Sequence, residues 1–159
     1  MNERSFVTEP CCAVPAAGGE VRQCPASGFD GKPVDWMTVA ALTTGPVPAK
    51  QEFRLCFDAE CDIVYYGSAG AVLTAGDLNA QPGFKQRGDG LVCYCFLHRK
   101  SDIARQLEET GRTDVFESIK SEVEAGNCAC EVRSPSGKCC LGEVRETIRC
   151  LQDEMGVTT

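Results

Sequence analysis

The sequence predicts an α+β protein, a small cysteine-pinned β-hairpin unit followed by a helical unit. Three observations carry this. Twelve cysteines fall into two groups along the chain, short runs rich in β-branched and aromatic residues lie in the first part, and segments with helical periodicity fill the last. The first group is Cys11, Cys12, Cys24, Cys56 and Cys61; the second is Cys93, Cys95, Cys128, Cys130, Cys139, Cys140 and Cys150. Between the groups runs AGDLNAQPGFKQRGDG, rich in Gly and polar residues, the composition of a linker or long connection. A boundary near Gly90 divides the chain into residues 1–89, with a flexible N-terminal arm, and residues 90–159.

In the first unit, QEFRLCF and CDIVYYG read as strands separated by the turn-prone FDAE, and AVLT adds a third. Cys56 and Cys61 then sit at the facing ends of a hairpin. Ahead of them, CPASGFDGK has the Pro and Gly placement of a knuckle turn, and VDWMTVAAL reads as a short helix or edge segment.

The second unit is helical. SDIARQLEETG has a Ser cap, good helix formers and a closing Gly, and TDVFESIKSEVEAG repeats the design with Val115, Phe116, Ile119 and Val123 on one face. The final segment places Leu141, Val144, Ile148, Leu151 and Met155 at spacings of three and four and ends at Gly156. These stripes are core.

Charge and hydropathy exclude several functions. With 16 Lys and Arg against 23 Asp and Glu, the chain lacks the clustered positive charge that phosphate contacts need, so no nucleic-acid partner is expected. The first twenty residues hold no apolar run of secretory length, and no run is long enough to insert in a membrane, so a cytoplasmic protein is expected. Cytoplasmic thiols stay reduced, which turns so many cysteines toward metal rather than disulfides. With the single histidine, His98, a Rieske centre is excluded, and no nucleophile triad, phosphate loop or nucleotide fingerprint is present. No catalytic residues are assigned, and an active site of its own is not expected.

A cysteine near a knuckle and a pair on a hairpin converge on one tetrahedral Zn²⁺, which places Cys24, Cys56 and Cys61 together. The fourth ligand is open, because a full knuckle reads C-x-x-C and position 27 is serine; Cys11 and Cys12 lie upstream. In the second unit, Cys93 and Cys95 form C-x-C, and NCACEVRSPSGKCC joins the second helix to the third. That spacing suits two adjacent irons with two thiolates each, a [2Fe–2S] cluster. Ser134 to Gly137 form a β-turn signature beside it, and Lys138 with the N-terminal end of the last helix offsets the cluster's negative charge, while Arg133 reads as a solvated surface residue.

VCYCF, CACEVRSPSGKCC and LCFDAECDIVYYG resemble the N-terminal half of the CopZ copper chaperones, which carry zinc and a [2Fe–2S] cluster, and the cluster half is similar to bacterioferritin-associated ferredoxin. The resemblance spans roughly residues 11 to 142. It implies a zinc-stapled β-hairpin domain followed by a helical ferredoxin-like domain, with the cluster on Cys93, Cys95, Cys130 and Cys140, and Cys128 and Cys139 as alternates. The zinc set it implies is Cys24, Cys56 and Cys61 with Cys12, or Cys11, in place of the cysteine that Ser27 replaces. CopZ chaperones continue into a domain whose C-x-x-C carries Cu(I). This sequence contains no C-x-x-C, so copper delivery is not carried over.

The function expected is one-electron transfer linked to copper or mercury handling, with a redox partner or a metal-transport or chaperone protein. A second reading is a non-redox accessory protein holding Cu(I) or Hg(II) on thiols left over from the two sites, since soft ligands select soft metals. A third is a regulatory module whose cluster reports iron or oxidant status.

Overall fold

A computed structural model describes residues 21–156; Cys11 and Cys12 lie outside the described residues. The first half is a four-stranded antiparallel sheet in the order β1 (Lys32–Val34), β2 (Phe53–Leu55), β3 (Ile63–Gly67), β4 (Val72–Thr74). Register pairs Val34 with Phe53, Leu55 with Tyr65, and Tyr66 with Val72. Three of these strands are those read from the sequence. The first is additional: KPV sits at the edge, where the missing N–H of Pro33 costs no ladder bond.

Helix α1 (Trp36–Leu42) follows β1, capped by the Asp35 carboxylate, which accepts from Met37 N at 2.7 Å. Its Val39 and Leu42 pack with Phe53, Leu55, Val64 and Tyr65 into the core of the sheet half.

The connection after β4 is a packed one. It makes two 3-10 turns, Ala75–Asp77 and Gly83–Lys85. Asn79 N donates to Leu42 O, the Lys85 ammonium donates to the carbonyls of Asp58 and Cys61, and Phe84 stacks on Phe57 at 5.3 Å between ring centroids. Tyr94 Oη accepts from Gly83 N at 2.6 Å and donates to Gln81 O at 3.1 Å.

The second half begins with a small hairpin, β5 (Leu91–Cys93) and β6 (His98–Arg99), in which His98 pairs with Cys93. Three helices follow: α2 (Lys100–Thr110), α3 (Val115–Glu124) and, after a one-turn helix α4 (Cys130–Arg133), α5 (Leu141–Met155). Helices α2 and α5 end at left-handed glycines, Gly111 and Gly156, as expected. The start of α2 differs from the Ser cap expected. Arg99 is the cap residue, its N–H bonded to Asp102, and Ser101 instead bonds the Asp89 carboxylate through both N–H and hydroxyl. Ile103, Leu107, Val115, Ile119, Val144 and Leu151 form a separate core from these helices, with Leu141, Ile148 and Met155 packed against it.

The two cores are joined by the segment that carries the second cysteine group. Helix α4 lies on α1, where the Thr38 hydroxyl donates to Glu131 O at 2.7 Å. The phenol of the wholly buried Tyr65 donates to Pro135 O at 2.6 Å. No helix among the described residues is long and apolar enough to cross a membrane.

Candidate metal centres

Of the first cysteine group, Cys24, Cys56 and Cys61 come together, while Cys11 and Cys12 lie outside the described residues. Cys24 leaves the knuckle, Cys56 follows β2 and Cys61 precedes β3, and their sulfurs all lie within 4.8 Å of one another. Cys24 and Cys61 are 3.8 Å apart, the edge of a tetrahedron with metal–sulfur bonds of about 2.3 Å. The knuckle holds its shape through Cys24 N donating to Phe29 O and Gly28 N donating to Cys24 O, both at 2.9 Å, with Gly28 at φ 73°. Cys24 and Cys56 are buried and Cys61 is half-buried. Ile63 and Tyr66 close the inner side.

The electrostatics favour thiolate at Cys24. Burial pushes its thiol up, but the N–H and hydroxyl of Ser27 and the N–H of Ala26 donate to its sulfur and bring it down to about 7. At Cys61 burial prevails over the Ile63 N–H and the thiol is raised. Ser27 was recognised in the sequence only as a missing ligand. Its hydroxyl lies 3.6 Å from Cys56 Sγ as well as on Cys24, so it touches two of the three sulfurs.

The second group forms two pairs. Cys95 and Cys130 have sulfurs 3.6 Å apart, and Cys93 is hydrogen-bonded to Cys140. Cys93 and Cys95 stand at the turn of the β5–β6 hairpin, Cys130 opens α4, and Cys140 is the cap residue of α5. Cys93 is drawn down to about 6, chiefly because the Cys140 thiol donates to it, with the N–H groups of Phe96 and Cys95 also aimed at its sulfur. Cys140 is correspondingly raised, and burial pushes Cys130 up to about 12. Ala129 N donates to Cys95 Sγ at 3.3 Å. Backbone donors aimed at sulfur stabilise the charged form that metals take.

The other cysteines divide by position. Cys139 is exposed and Cys128 half-buried, and both are close enough to Cys130 to raise it. Cys150 is exposed on α5, with Glu146 at 3.8 Å. Lys138 and Arg133 are exposed. The expected turn is present: Gly137 N donates to Ser134 O at 2.8 Å.

Comparison with known proteins bears on the first centre. The chain has no significant match among curated proteins. The N-terminal domain of CopZ from Archaeoglobus fulgidus, solved by X-ray crystallography, is similar in fold, with a TM-score of 0.62 and 24% identity over 86% of this chain and 99% of that one. Residues 21–79 match the family model of the CopZ-type zinc binding domain. That stretch contains Cys24, Ser27, Cys56 and Cys61, and the three-sulfur group within it offers three of the four ligands of a tetrahedral zinc site. The sheet half is therefore similar to a CopZ-type zinc-binding domain, and its three sulfurs suit zinc.

Proposed function

We propose that the protein is a cytoplasmic iron–sulfur and zinc protein that passes single electrons through a [2Fe–2S] cluster in the service of copper or mercury handling. The observation that carries this reading is the pairing of Cys93 with Cys140 and of Cys95 with Cys130 beside, and apart from, the zinc-type triad. Two thiolate pairs are the donor set for two adjacent irons. In this reading zinc belongs to residues 1–89, with Cys11 or Cys12 available to it, and the cluster to residues 90–159. The N–H donors on Cys93 and Cys95 and the N-terminal end of α5 at Cys140 favour a centre of net negative charge. Its partners are a redox protein and a metal-transport or chaperone protein.

Reductive titration of anaerobically purified protein tests the reading. One electron per chain should bleach the visible absorption reversibly, and air should restore it. A colourless protein, or bleaching that is not reversed, counts against it.

One observation favours a second reading. Cys139 and Cys128 stand beside the paired cysteines without belonging to either pair, and Cys139 is open to solvent. Spare thiols so placed suit a soft ion such as Cu(I) or Hg(II). Cys139→Ser should then weaken binding of that ion at least about tenfold while the reduction potential hardly moves. Under electron transfer alone, both quantities stay as they were.

A further inference from the structure

Ser27 stands where a fourth cysteine would close the first centre. Its hydroxyl is 3.6 Å from Cys56 Sγ and donates to Cys24 Sγ, while Cys24 and Cys61 are already at the spacing of a tetrahedral edge. Zinc takes thiolate, imidazole and carboxylate, and a neutral hydroxyl is not among its usual ligands. Among the described residues, Cys24, Cys56 and Cys61 make up the whole of this donor group. Cys24 and Cys56 are 2% and 0% exposed, whereas Cys61 and Ser27 are partly open, so the incomplete side of the group is also the side that solvent reaches.

We infer that Cys24, Cys56 and Cys61 form a three-thiolate metal site whose fourth position stays open to an outside thiol, because Ser27 occupies the corner a cysteine would fill. The inference rests on the zinc reading of this centre. Closed four-ligand zinc sites are structural, and sites with three protein ligands keep a position for exchange. With a metal held by the three thiolates, an incoming thiol would give its proton to solvent and its sulfur would take the open position, releasing any water held there; no electron would change hands. Ser27 lines that entry. A metal held by three thiolates and a guest thiolate is at the first step of transfer to a thiol-bearing acceptor, which turns a structural staple into an exchangeable store.

Cobalt(II) in place of zinc, in the full chain, reads the number of thiolates directly, since each adds to the sulfur-to-metal charge-transfer band. Cys56→Ser supplies the background from cobalt bound elsewhere. Wild-type protein should show about three-quarters of the band of Ser27→Cys, and 2-mercaptoethanol should raise it by about one third while leaving Ser27→Cys unchanged. Zinc release to a chelator should be at least about tenfold slower from Ser27→Cys. A wild-type band equal to that of Ser27→Cys, unmoved by added thiol and cut by about a quarter in Cys11→Ser/Cys12→Ser, would show that the chain's own arm closes the site and would overturn the inference. The wild type and the arm variant decide this even if Ser27→Cys does not fold. Absence of a cobalt band above background in every variant would instead overturn the zinc reading, and the inference with it.

Discussion

Tyr65 has no exposed surface, yet it ends in a hydroxyl whose acceptor, Pro135 O, lies seventy residues along the chain. Removing that hydroxyl leaves a carbonyl without its donor, so Tyr65→Phe should cost about 1–3 kcal/mol in urea denaturation at neutral pH. Burial also raises the phenol's pKa above its ordinary value. A group raised on folding contributes stability below its unfolded pKa and loses that contribution as pH rises. Wild-type stability should therefore fall above about pH 10, and Tyr65→Phe should lose less over that range. A pH dependence unchanged by the substitution would mean that Tyr65 titrates normally in the fold. Among the cysteines the same reasoning separates ligands from bystanders. Serine at Cys93, Cys95 or Cys130 should bleach or strongly alter the visible absorption, and Cys150→Ser, exposed on α5, should leave it unchanged.

At the scale of elements, the turn before α5 depends on Gly137. Its φ is +66°, and an added Cβ would meet Thr38 Oγ1 at 2.7 Å. Gly137→Ala should destabilise the protein by more than about 1 kcal/mol, because alanine would have to hold a left-handed φ and its Cβ would crowd the Thr38 hydroxyl. The measurement is the denaturation midpoint. Leu107→Ala, in the fully packed face of α2, should cost about 2–5 kcal/mol by the same assay. The helices were legible because each repeats its apolar stripe over several turns and two of them end at a glycine. Strands β1, β5 and β6 were not. Pro33 argues against β1 unless it lies at an edge, and β6 has two residues, too few for alternation to register. The turn between β5 and β6 also hides its geometry, with Leu97 at a φ of 59°.

Across the whole molecule, the two cores meet through α1 and α4, so the cysteine loop of the second half rests on the sheet of the first. The zinc-type triad could be read from sequence because a knuckle and a hairpin bring their ends together locally. The pairing of the second group was not legible, since Cys93 and Cys140 are brought together by the packing of α5 on β5. The gap after β4 read as a linker on composition, but Lys85, Phe84 and Tyr94 fasten it to both halves. Losing zinc should therefore loosen the sheet half first. Cys56→Ser should keep the visible absorption and lower the first thermal transition by roughly 4–8 °C, the equivalent of about 2 kcal/mol in a chain of this size. Simultaneous loss of colour and fold would show that the two centres are a single cooperative unit.

The central claim, a zinc centre and a [2Fe–2S] centre in one small chain, is tested most directly by metal and acid-labile sulfide analysis of protein purified without exposure to oxygen. About two irons, two sulfides and one zinc per chain are expected from two thiolate pairs and one thiolate triad. Zinc at both centres with no labile sulfide would contradict the account.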